Sequence, residues 1–155
     1  MVMISRRKKI MLVVLLSVII ILVALVIYYN NAYRRLKLNL VGVGLGGVTY
    51  TSAEIRLTFE VQNPNVLPVY VPSGDFDVYI NDQYFCFGNF GSFTIGGNSR
   101  TRITVPVTFY ITDVPMVLYG LITGGGTVTV RLDGGLHIIL FDVPFSTTLY
   151  NAKFA

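Results

Sequence analysis

One stretch constrains this chain more than any other. Ile10 to Tyr29 is a run of twenty residues in which Ser17 is the only strongly polar side chain. As a helix rising 1.5 Å per residue it would span about 30 Å, the thickness of a bilayer's hydrocarbon core. Lipid offers no hydrogen bonds to the backbone, so the run must be helical there despite its many Val and Ile residues. Tyr28 and Tyr29 fall where an interfacial aromatic belt would lie, and Asn30 and Asn31 end the apolar run. A cleaved signal peptide would have a shorter apolar region and a small-x-small cleavage site, for which Asn30-Asn31-Ala32 is a poor match. A core helix would carry a polar face. A pilin-type helix would show a small residue before its processing point and an acid after it, and neither stands near Lys8-Lys9-Ile10. The expectation is an uncleaved transmembrane helix over 10–29. A basic cytoplasmic tail over 1–9 would precede it, and a linker over 30–37 and one domain over 38–155 would follow.

Charge supports this division. Arg6, Arg7, Lys8, Lys9, Arg34, Arg35 and Lys37 give the first 37 residues a charge of +7 with no acid. The remaining residues set five bases against eight acids, a balance of −3. The basic pI therefore belongs to the anchor and its flanks, and a nucleic-acid partner is not expected. Four bases before the helix and three after it favour a cytoplasmic N-terminus, with the domain outside the cell membrane. The bases after the helix suit anionic lipid, so the bilayer itself is the first expected partner.

Beyond residue 38 the apolar pattern has period two. Ala53–Val61 alternates apolar odd positions with charged residues or Thr, and Asp75–Ile80, Arg100–Phe109 and Thr127–Leu132 repeat the pattern. Leu136–Leu149 reads as one long last strand bent near Pro144. Asn63-Pro64-Asn65, Asn81-Asp82, Gly96-Gly97-Asn98 and Asp133-Gly134-Gly135 read as turns. Val114, Val117, Leu118 and Leu121 follow helical spacing, with Thr112 or Asp113 as N-cap and Gly124 as stop. The fold class is mainly β: a two-sheet sandwich with one short helix, behind a single transmembrane helix.

Candidate chemistry is sparse. Gly42-Val-Gly-Leu-Gly-Gly47 matches G-x-G-x-x-G, but a strand follows where a dinucleotide site needs a helix, so it reads as a turn. Asp75 and Asp77 share a strand face, with Asp82 close by; calcium needs six or more oxygens, so these read as solvated acids. His137 is the only histidine and reads as a partly buried, hydrogen-bonded side chain. Cys86, the only cysteine, excludes an intrachain disulfide and reads as a packed thiol. The aromatic residues from Tyr70 to Phe93 lack interleaved bases and read as core and inter-sheet packing, whereas an exposed subset would mark a partner surface. No nucleophile elbow, zinc-protease motif or P-loop is present, so no catalytic residue, cofactor, metal or small-molecule substrate is expected.

Phe59-Glu-Val-Gln-Asn-Pro-Asn65 closes a half-buried strand. Asp77-Val-Tyr-Ile-Asn81, a glycine-bearing hairpin, Asn98-Ser99 and Ile103-Thr-Val-Pro-Val-Thr-Phe109 follow in order. Over roughly Leu36 to Leu149 this resembles the group 2 late embryogenesis abundant proteins, also called the WHy domain, with Asn63, Pro64 and Asn65 as the family motif. Pro64 has no N–H for a ladder, and the flanking Asn side chains can close a turn. The resemblance implies an immunoglobulin-like or fibronectin-like sandwich and a non-catalytic role in desiccation and stress tolerance, exercised by binding or by protection at the outer membrane face. The alternative is a structural subunit with a protein partner in a membrane or cell-surface assembly, such as an envelope stator or pilus component.

Overall fold

The computed structural model describes residues 5–138 and 142–154. They form two compact units that divide at Arg34/Arg35.

The first unit is helix α1, Arg6–Arg35. Ser5 caps its start: the Lys8 N–H donates to Ser5 Oγ at 3.4 Å and the Lys9 N–H to its carbonyl at 3.0 Å. The Ser17 hydroxyl donates to the Val13 carbonyl at 2.8 Å, so the polar group in the apolar run is satisfied within the helix. The helix is long and apolar enough to cross a membrane, and its apolar window is wholly unburied. The segment 30–37, expected as a linker, is helical as far as Arg35, and a strand starts at Lys37. Once a helix is nucleated, each added residue costs little, so two asparagines do not stop it.

The second unit is built from antiparallel strands: β1 Lys37–Val48, β2 Ser52–Asn63, β3 Val69–Val71, β4 Ser73–Ile80, β5 Gln83–Phe90, β6 Phe93–Ile95, β7 Ser99–Tyr110, β8 Val128–His137 and β9 Asp142–Ala152. Helix α2, Met116–Thr123, lies between β7 and β8 in the chain. One sheet has the order β1-β2-β7, the other β5-β4-β8-β9, and β3 pairs with β6 separately. This is the expected two-sheet sandwich with one short helix.

The period-two residues become its core. Ile55, Leu57, Phe59 and Val61 of β2 are buried against the inward side chains Phe76, Val78 and Ile80 of β4 and Val130 and Leu132 of β8. Phe59 meets Phe76 across the sheets at a centroid distance of 5.6 Å, and Phe85 meets Phe109 at 4.8 Å. Edge-to-face contacts of this kind add about 0.5–1.5 kcal/mol each beyond area burial. Asn81 and Asp82 both take positive φ, at 50° and 63°, as a two-residue hairpin between twisted strands requires.

Four expectations are corrected. Gly42–Gly47 is not a turn: it lies within β1, which pairs with β2 through two register shifts, at Leu40/Gly42 and at Leu45/Val48. Pairing with a strongly patterned neighbour overrides the weak strand propensity of glycine. The turn falls instead at Thr49–Thr51, where the Thr49 N–H donates to the Ser52 carbonyl at 2.8 Å.

Asp133-Gly134-Gly135 is likewise inside a strand, the middle of β8. Gly134 faces Phe76 on one side and Phe145 on the other, and a Cβ there would collide with the Asp75 carbonyl and Phe76 Cα. The glycine thus serves close strand approach. The expected single strand over 136–149 is therefore two: Leu136 and His137 end β8, and β9 starts at Asp142.

The short helix starts later than expected. Thr112 and Asp113 belong to a 3-10 turn, Ile111–Asp113, and Pro115 occupies the N-cap position with no side-chain cap bond. The buried face rotates accordingly to Val114, Leu118 and Ile122, leaving Val117 at 78% exposure. Gly124 ends the helix as expected, its N–H donating to the Gly120 carbonyl at 2.9 Å.

Candidate functional site

The Asn-Pro-Asn motif sits where β2 ends. Asn63 is 1% exposed, and its side chain is a hydrogen-bond hub. Its amide Nδ2 donates to the carbonyls of Leu67 at 3.0 Å, Ile95 at 3.2 Å and Gly96 at 3.1 Å. Its Oδ1 accepts from the Asn65 N–H at 3.0 Å and from Asn65 Nδ2 at 2.8 Å. The Asn98 N–H in turn donates to the Asn65 carbonyl at 2.8 Å. Pro64 stops the ladder, and the amide then ties the outgoing loop to the end of β6. The motif pins one end of the sandwich, and the polar atoms of Asn63 are engaged by protein.

The acids of β4 occupy one exposed face, as their spacing requires, and the fold adds partners from distant strands. Asp75 Oδ2 lies 2.8 Å from His137 Nε2, and Asp142 Oδ1 lies 2.9 Å from His137 Nδ1. One imidazole thus bridges β4, β8 and β9. Both ring nitrogens donate only in the imidazolium form, so hydrogen bonding to Asp142 and then to Asp75 raises the His137 pKa above its usual value. Asp82 holds Arg131 Nη1 at 2.9 Å, and the Arg131 guanidinium lies 4.5 Å from the Tyr79 ring centroid. Among the described residues, no group of three or more His, Cys, Asp or Glu side chains is arranged to hold a metal ion.

Cys86 is buried on β5. Burial, aided by the charge of Asp77, pushes its thiol up to about 12, so it stays protonated at neutral pH and is a poor nucleophile. The predicted membrane-flanking bases lie at both ends of α1: Arg6, Arg7, Lys8 and Lys9 in its first turn, Arg34 and Arg35 in its last, with Lys37 opening β1. All seven are exposed.

Sequence reasoning did not find a cleft. The free edges of β5 and β7 lie on the same side of the sandwich, one from each sheet, and a cavity of about 450 Å³ opens between them. Phe85, Phe109 and Val114 form buried parts of its wall, Tyr84, Phe87 and Tyr110 are exposed beside it, and Asp113 also lines it. The sequence signal for it is the uncharged, aromatic-rich character of residues 83–90, with Tyr84, Phe85, Phe87 and Phe90.

An antiparallel two-sheet sandwich whose β2 ends in a buried Asn-Pro-Asn hub, with a helix between its late strands, is a fibronectin-like or immunoglobulin-like domain by architecture. A family model described as late embryogenesis abundant protein, LEA_2, matches residues 58–149. The chain belongs to this family. Among solved structures, an Archaeoglobus fulgidus protein is 18% identical with a TM-score of 0.52; the match covers 77% of this chain and all of that one. An Arabidopsis thaliana protein is 17% identical with a TM-score of 0.51, over 76% of this chain and 83% of that one. A protein designated late embryogenesis abundant (LEA) is 16% identical with a TM-score of 0.50, over 74% of this chain and 68% of that one. These likenesses concern the fold. No curated protein matches the chain.

Proposed function

We propose that this chain is a non-catalytic, membrane-anchored member of its family, whose sandwich works at the outer face of the cell membrane in desiccation or stress, by binding or by protecting the membrane surface. The observation that carries the reading is α1. Its twenty-residue apolar run is exposed all round, a surface that water disfavours and that lipid would cover. The bases at its two ends suit headgroups on either side. Family membership supports the stress role, and the thiol-state Cys86 and the paired His137 support a non-catalytic one. The orientation, with residues 1–9 cytoplasmic and the domain outside, rests on the charge excess before the helix.

Two measurements test this. Protease added to intact cells or spheroplasts is expected to digest the C-terminal domain; its survival until lysis would reverse the orientation. Deleting the gene is expected to increase membrane leakage after drying or salt shock, and unchanged leakage would remove the stress role.

A further inference from the structure

We propose that the free edge of β5 accepts an extended polypeptide strand from a partner protein, apolar on one face and carrying a basic residue, which adds to the sheet and fills the cleft between β5 and β7. This names a partner for the binding domain proposed above and rests on that reading.

The sandwich has two long sides, and they are closed differently. On one, β1 and β9 meet: the Leu40 N–H donates to Thr147 Oγ1 at 2.9 Å, with both residues buried. On the other, β5 and β7 leave the cavity of about 450 Å³. An edge strand presents unpaired N–H and C=O groups, which natural proteins guard with charge, proline or a bulge. β7 carries such guards: Pro106 has no N–H to offer, and Arg100 and Arg102 are exposed near its start. β5 carries neither charge nor proline. Its one irregularity, the register shift opposite Val78/Tyr79, places Phe85 and Cys86 inward together and leaves Cys86–Phe90 in regular pairing with β4. That regular stretch presents a free edge with Phe87 exposed at 70%.

The cleft also specifies the occupant's chemistry. Its walls are apolar and aromatic at Phe85, Phe109 and Val114. Among the described residues Asp113 is the only charged one lining it, and Asp77 stands directly across from Phe87 on the exposed face of β4. Among the described residues neither carboxylate has an ion-pair partner. An extended chain supplies backbone hydrogen bonds to β5 and alternate side chains to the cleft. Asp77 and Phe87 share the outer face of the sheet, so a Lys or Arg on the outward face of the added strand would meet Asp77 with its cation over Phe87, while the apolar face fills the cleft. A second copy pairing through its own β5 offers no such complement, because that strand is uncharged, and one pairing through β7 would bring Pro106, which has no N–H to give the ladder.

The test uses the full chain in detergent and a synthetic ten-residue peptide of alternating Val and Lys. The expected result is saturable binding with slowed amide exchange confined to Cys86–Phe90. N-methylating alternate peptide nitrogens, which removes backbone donors and leaves the protein untouched, should weaken binding at least about tenfold, the loss of one or two hydrogen bonds. A Val/Glu peptide should bind at least about tenfold more weakly, and Asp77→Asn should reduce the salt dependence of the Val/Lys peptide. Phe87→Lys, at an exposed position, should abolish binding. Equal binding of the N-methylated and Val/Glu peptides, or protection of amides elsewhere, would overturn the proposal. Concentration-dependent dimerisation that protects Cys86–Phe90 without peptide would also overturn it, in favour of a second copy. None of these readouts depends on membrane orientation or on a drying phenotype, so this inference and the broader reading fail separately.

Discussion

The two long sides of the sandwich are made from the same material and end differently. The β1/β9 side is sealed by a backbone N–H and a threonine hydroxyl from residues 107 positions apart. The β5/β7 side stays apart along a cleft, although Phe85 and Phe109 touch between the sheets. The contrast teaches that a sandwich need not bury both seams to hold its core. β2, β4 and β8 lie inside their sheets and carry most of the fully buried side chains, so one seam is free for other use.

The largest effect is expected at the end shared by both sides. Asn63→Ala removes the donors and acceptor that tie β2 to β6 and leaves three carbonyls and Asn65 short of partners; it should cost about 3 kcal/mol, read by denaturant unfolding of the full chain in detergent. A loss below about 1 kcal/mol would show that the hub is not what holds that end. Thr147→Val should cost about 1–2 kcal/mol by leaving the buried Leu40 N–H unpaired, and so measures what the sealed side contributes.

His137 gives a smaller, pH-dependent effect. Its folded pKa lies above the unfolded value near 6.5, so its stabilising contribution is complete below about pH 6.5 and fades as pH rises through the folded pKa. Melting temperature should therefore fall across that window, and His137→Gln should flatten the dependence. A ring titration by NMR with a midpoint at or below 6.5 would contradict the bridge. The smallest change is expected on the open side: Phe87→Lys should shift stability by less than about 0.5 kcal/mol, because the side chain is mostly exposed. A large loss there would mean that the open seam is part of the core after all.

Several features were legible without coordinates because their causes are local. Ala53–Val61, Asp75–Ile80 and Arg100–Phe109 alternate strictly, and β2, β4 and β7 contain them. The hairpin at Asn81-Asp82 and the helix stop at Gly124 follow from backbone preferences of single residues. Glycine misled at 42–47 and 134–135, where it admits a close neighbour strand and does not turn the chain.

The sequence by itself determined the apolar helix, the charge that flanks it, the period-two core and the Asn-Pro-Asn motif, since each depends on residues near one another along the chain. Only the tertiary structure decided what those residues meet. It brought Ile95 and Gly96 to Asn63, Asp75 and Asp142 to His137, and Thr147 to Leu40. It also left β5 on an open edge. Strand order and register are settled by non-local pairing, and no local pattern records which edge will find a neighbour.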